Sequence, residues 1–182
     1  MSLKRHIRTR CLEALWKETV NCFSREDLGL RELYGFAAPD LPDTKDPRIY
    51  PFALMPMEDI APRQINISPA PLLFQQGISA ISDTTYDFEL TFIFPAKLFR
   101  HVLGSNSYLD EIAELRTWLF SGGSVPNKNG RLQDPDLPGQ LINNLIVKWQ
   151  EQPARYAAGS AGVEVPIIIG FETRENAAGD RQ

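Results

Sequence analysis

Between Tyr86 and Phe94 the chain places an aromatic or leucine side chain on every second position: Tyr86, Phe88, Leu90, Phe92 and Phe94. Asp87, Glu89 and Thr91 alternate with them, and Ile93 interrupts the polar set. Side chains of an extended strand point to opposite faces in turn, so this spacing predicts a half-buried strand with an aromatic core face. Nine residues at ~3.3 Å each reach roughly 30 Å, long for a globular protein. The rest of the chain has to cover that face.

Two segments have the period for it. Leu3, Ile7, Cys11, Leu15 and Val20, with Leu12 and Trp16 beside them, predict a helix over 3–23 that carries Arg8, Arg10, Lys17 and Glu18 on its other faces. Leu109, Ile112, Leu115, Trp118 and Leu119 predict a second helix over 108–120, opened by Ser107 and Asp110 in a capping-box arrangement and closed by Gly122 and Gly123. Asp110 and Glu111 in its first turn suit the helix dipole. Ser24 has the shape of another cap, which predicts a short helix to about Tyr34, stopped at Gly35.

The remaining strands are shorter. Residues 48–52 form a β segment that Pro51 and Pro56 confine to an edge or a strand end. Ile65 and Ile67 alternate with polar neighbours between Pro62 and Pro69. Gln75, Gln76 and Gly77 suggest a hairpin turn with an irregular arm leading into the central strand. Residues 139–150 satisfy both periods; we read a short helical turn, then a strand from about Leu145 to Tyr156 with Leu145, Val147 and Trp149 on one face. Ala157–Gly162 connects to a closing strand, 163–173.

The expected fold is therefore α/β of the α+β type. It has a mainly antiparallel, mixed sheet, two main helices packed on one face, and long loop insertions at 37–47, 70–84 and 122–139. Residues 1–173 make one domain and 174–182 a polar tail. An 18-residue loop at 122–139 is uncommon inside a compact domain, and reads as a projecting arm.

Composition narrows function mainly by exclusion. A net charge of −4 over 182 residues argues against nucleic-acid binding by overall field. No apolar run approaches the ~20 residues of a membrane span. The basic N-terminal segment lacks the apolar core of a secretory signal and reads as a helix with a solvated basic face. Cys11 and Cys22, the two cysteines, would lie about 16 Å apart on the first helix, too far to bridge, and read as core residues of a reducing compartment.

Chemistry-bearing residues do not assemble into a known pattern. His6 and His101 have no companion at metal-ligand spacing. Asp40, Asp43 and Asp46 lack the glycine and terminal glutamate of a calcium loop. Neither Gly122–Ser124 nor Gly159–Gly162 has the lysine of a phosphate loop. Pro135 and Asp136 lack the partners of a nuclease dyad. Asp87 and Glu89 share a strand face and could approach a metal, but without a third ligand they read as a solvent or contact face. No catalytic, cofactor-binding or metal-ligating residue is assigned, and the chain is read as a non-enzyme without a cofactor.

The element order resembles the tail terminator family of tailed bacteriophages, the group that includes minor tail protein U. Arg48–Pro51, Pro62–Ile67, Tyr86–Phe94, Leu109–Glu114 and Val165–Thr173 carry the resemblance. Residues 24–47, 70–84 and 122–139 are longer than that pattern. The resemblance implies a virion protein of the tail or neck, assembled in the host cytoplasm as a homo-oligomeric ring, a hexamer. Such a ring caps the tail tube and meets tube protein, sheath protein and neck or connector proteins, while DNA passes through its lumen. The alternatives are another neck or head–tail connector subunit, a small hydrolase using carboxylates near Asp87 and Glu89, or a monomeric binding module with no viral role. The absence of a recognised site and the long loops agree with an assembly subunit, with 122–139 the first choice for contact with a neighbouring copy and 37–47 the second.

Overall fold

The computed structural model describes residues 5–36, 48–51, 63–70, 81–99, 107–121, 123–124, 130–142, 144–157 and 162–176. The loop at 37–47, the hairpin turn at 75–77 and His101 lie outside them. Helices α1 (Ile7–Phe23) and α2 (Tyr108–Ser121) accompany a mixed sheet of six strands: β1 (Ile49–Tyr50), β2 (Gln64–Pro69), β3 (Ile81–Pro95), β4 (Asn144–Glu151), β5 (Arg155–Tyr156) and β6 (Gly162–Asn176). The order across the sheet is β1-β2-β3-β6-β4, with β5 also on β6. Only β1 and β2 run parallel; the other pairings are antiparallel.

The aromatic stretch is the inner strand the sequence predicts, and it is longer. β3 pairs with β6 over 15 residues without a register shift, from Ile81↔Asn176 to Pro95↔Gly162. Residues 81–84, expected in a loop, and 174–176, expected in the tail, are therefore strand. Apart from Ile81 they are polar and give little core signal, but each extends a ladder already nucleated by the apolar centre.

Phe88, Leu90, Phe92 and Phe94 are fully buried, as are Ile65, Ile67, Ile167, Ile169 and Phe171 on the flanking strands. They form one cluster with Ile7, Cys11, Leu15, Cys22 and Phe23 of α1 and Ile112, Leu115 and Leu119 of α2. Both helices thus pack on the same sheet face, as expected. Burying such a side chain contributes about 1.5–3 kcal/mol. Ring geometry adds specificity: Phe92 and Phe94 stack at 5.6 Å, and Phe88 meets Phe171 edge-on at 5.6 Å.

Several boundaries differ from the sequence reading. Ser24 ends α1 instead of opening a new helix: its N–H bonds Val20 O at 2.9 Å and its Oγ donates to Asn21 O at 3.1 Å. Two single 3-10 turns follow, Glu26–Leu28 and Glu32–Tyr34. Gly29 and Gly35 end them at φ 64° and 81°, and a left-handed residue every six positions forbids a continuous helix. In α2, Ser107 Oγ does accept the Leu109 N–H, at 3.3 Å, but Leu109 itself is exposed.

The described residues between 139 and β4 form no helical turn. Leu141 bridges Gln133, and Ile142 N–H bonds Leu132 O at 2.8 Å, so the chain enters β4 already extended. A bulge between Ile146 and Lys148 then shifts the alternation by one residue. Ile146 faces the core, Trp149 is half-buried against it, and Leu145 and Val147 are exposed.

Candidate functional site

Charged side chains inside the fold come first, because buried charge either holds a structure together or performs chemistry. Glu111 of α2 is buried and takes three bonds: Arg63 Nη2, Arg63 Nε at 3.2 Å and Tyr34 Oη at 2.7 Å. This triad ties α2, the start of β2 and the second 3-10 turn. Arg10 of α1 is buried and donates to both carboxylate oxygens of Asp134. Glu18, also buried, accepts from Trp118 Nε1 at 3.0 Å and Ser124 Oγ at 2.5 Å. Each carboxylate holds one element to another, so these clusters read as tertiary anchors.

The apolar stripe read from the sequence leaves Arg10 and Glu18 on other faces, and the structure buries both. The signal was present: Arg10 stands three residues after Ile7, and Glu18 four before Cys22, both within the apolar stripe. Glu111 likewise precedes Leu115 by four. A charge on the core stripe of a helix needs a buried counter-charge elsewhere in the chain.

The candidate carboxylates at Asp87 and Glu89 share the sheet face away from the helices, but they have local partners. Lys148 Nζ lies 2.6 Å from Asp87 Oδ2, reaching across β6 at Gly170. Glu89 Oε1 accepts from Thr91 Oγ1 at 3.0 Å. Among the described residues no group of three His, Cys, Asp or Glu side chains could hold a metal. His6 caps α1, its Nδ1 accepting the Arg8 N–H at 3.1 Å, and its ring meets Tyr86 edge-on. Cys11 and Cys22 are buried and form no disulfide. Burial pushes the Cys22 thiol up to about 12, helped by the charges of Glu114, Glu18 and Asp27, so it is no nucleophile in the folded state. Burial also raises the Tyr34 phenol, against the opposing influence of Arg63.

The described part of the 122–139 segment does not project. Leu132 and Asp134 are buried, Arg5 Nη1 bonds Asp136 Oδ1 at 2.7 Å, and Ile146 N–H bonds Gly130 O at 3.0 Å. Residues 130–142 form a strap across α1 toward the free side of β4. A cleft of about 180 Å³ lies under it, lined by Lys17, Glu18, Asn21, Gln133 and Asp134 among others. Three of its charged groups already have partners: Lys17 with Glu13, Glu18 with Trp118 and Ser124, and Asp134 with Arg10.

What distinguishes the surface is the β4 side of the sheet. Leu137 and Leu141 of the strap, Leu145 and Val147 of β4, and Tyr156 of β5 are all exposed, Tyr156 at 85%. β4 and β5 both lie on the side of β6 away from β3, so Leu145, Val147 and Tyr156 belong to one margin, and Leu141 lies three residues before β4. Outward-facing leucines on an outermost strand mark a contact surface more readily than a solvated one.

The fold is thus a two-layer α+β architecture with an apolar sheet margin. No protein-family model matches the chain, and no curated protein matches it.

Proposed function

We propose that the chain is a structural virion protein of a tailed bacteriophage: the tail terminator, a ring of identical copies that caps the tail tube and joins it to the neck. The observation that supports this reading best is the exposed apolar margin at Leu141, Leu145, Val147 and Tyr156. Several apolar side chains exposed close together on one outer strand and its neighbours have a reason to be left in water, and docking of copies supplies one. The element order adds support, since it is the order on which the family resemblance rests. In this reading the ring, a hexamer, sits on the tube protein with sheath or neck proteins beyond it. A net charge of −4 suits a lumen that passes DNA without gripping it.

Native mass spectrometry of the purified protein, alone and with tail tube protein, tests the reading. Rings of six, present alone or induced by the tube, are expected. A chain that stays monomeric in both mixtures overturns it. A ring that ignores tube protein but binds a portal or connector protein points instead to a neck subunit.

A further inference from the structure

The two margins of the sheet carry complementary groups at the same end. On the β1 side, Arg48 directly precedes the strand. Its N–H bonds Tyr34 O at 2.7 Å and its Nη1 lies 3.4 Å from Leu33 O. No carboxylate partners that guanidinium among the described residues, and Leu33 beside it is 41% exposed. On the far side, Glu151 ends β4 with a single described partner, the Trp149 indole N–H at 3.3 Å, and Tyr156 stands in water.

The pairing registers fix their levels. Ile49 is in line with Ile65, Phe92 and Val165. Arg48, one residue earlier, therefore falls level with Glu164, which pairs with Arg155. Tyr156 pairs with Val163, one residue further along, and Glu151 pairs with Ile167, three residues back or roughly 10 Å. Arg155 itself is neutralised by Glu164 at 2.7 Å.

We infer that the Glu151–Tyr156 margin of one copy docks on the Leu33–Arg48 margin of the next. The Arg48 guanidinium lies against the Tyr156 ring and pairs with Glu151, and the ring covers Leu33. The occupant is a second copy because each margin supplies what the other lacks: on one side a cation with no ion-pair partner among the described residues beside an exposed leucine, on the other an anion with no ion-pair partner among the described residues beside an exposed tyrosine. A cation over an aromatic face and a rim charge pair fix register as well as contact. Tyrosine and arginine are the residue types that carry interface energy. Two different patches meeting head to tail generate a ring when the rotation closes. The inference rests on the ring reading and assigns its junction.

The test is native mass spectrometry of Tyr156→Ala, Arg48→Glu, Glu151→Arg and the double variant R48E/E151R, with circular dichroism to check the fold. Each single variant is expected to weaken ring formation tenfold or more, and the charge-swapped double variant to recover most of it. The Tyr156 and Glu151 side chains are exposed, so their variants keep the monomer fold. Rings that persist undiminished in Tyr156→Ala and Arg48→Glu overturn the junction while leaving the ring reading intact. Loss in both charge variants without recovery in the double variant overturns the Arg48–Glu151 pairing. A wild-type chain that is monomeric with and without tube protein overturns junction and ring together.

Discussion

Gly170 stands directly opposite Asp87 in the ladder between β3 and β6, and a β-carbon built on it would lie 2.7 Å from Asp87 Oδ1. The same carbon would lie 2.9 Å from Lys148 Cβ on the other side. The missing side chain is what lets Lys148 and Asp87 meet at 2.6 Å across an intervening strand. Asp87 Oδ1 is buried there without a hydrogen-bond partner. Gly170→Ala is therefore expected to destabilise the protein by about 1–3 kcal/mol, the range for forcing a methyl into a filled site. Urea unfolding measures it; a midpoint equal to wild type would mean that the strands part freely at this point.

The Arg63–Glu111–Tyr34 triad sets a sharper contrast. Glu111→Ala leaves the Arg63 guanidinium buried and unpaired, which costs about 3–5 kcal/mol. Replacing both charges with apolar residues of similar size, Arg63→Met with Glu111→Leu, removes the charge as well as its partner, and the double variant is expected to recover most of that loss, short of wild type by the about 1–3 kcal/mol of a buried Tyr34 hydroxyl left without its acceptor. A double-mutant cycle in urea reads the coupling. If the double variant loses as much as the sum of the singles, the triad does not act as a unit.

The strap at 130–142 hangs on Arg10–Asp134. Asp134→Ala is expected to loosen it locally, because the buried Arg10 loses its nearer carboxylate while Leu132 and Ile142 keep their places in the core. Hydrogen exchange checks this residue by residue. The amides of Ile142 and Ile146, bonded to Leu132 O and Gly130 O, should exchange faster while those of β3 and β6 keep their protection. Uniform loss of protection would mean that the strap unfolds only with the whole fold.

Alkaline pH acts through Cys22. Its folded thiol titrates near 12 against an ordinary value of 9.0, so above pH 9 the unfolded chain releases a proton that the folded chain retains. Stability is thus level with respect to this group below pH 9. It falls between 9 and about 12, by up to about 1.4 kcal/mol per pH unit. The Tyr34 phenol, also raised, adds a loss of the same sign above its ordinary 10.0. Urea midpoints measured from pH 8 upward follow it, and Cys22→Ala should flatten the first part of the slope.

The sequence by itself determined the inner strand, the two helices and the faces they bury. The alternation Tyr86–Phe94 and the stripes around Leu15 and Leu115 are local periodicities, and one face of a strand or helix is set by its own residues. It also located β1 at an edge, since Pro51 withdraws a donor. Tertiary structure decided what depends on a partner distant in the chain. Residues 82–83 and 174–176 are polar and become strand through the ladder that pairs Ile81–Asp83 with Arg174–Asn176. The bulge at Ile146/Lys148 exchanges the expected faces of β4. The strap lies down because Asp134 meets Arg10 from 124 positions away. Arg10, Glu18 and Glu111 sat visibly on apolar stripes, but their counter-charges and hydrogen-bond partners could not be named from spacing. Period is written in neighbours; the pairing of buried charges and the register of strands are settled only when the chain brings remote residues into contact.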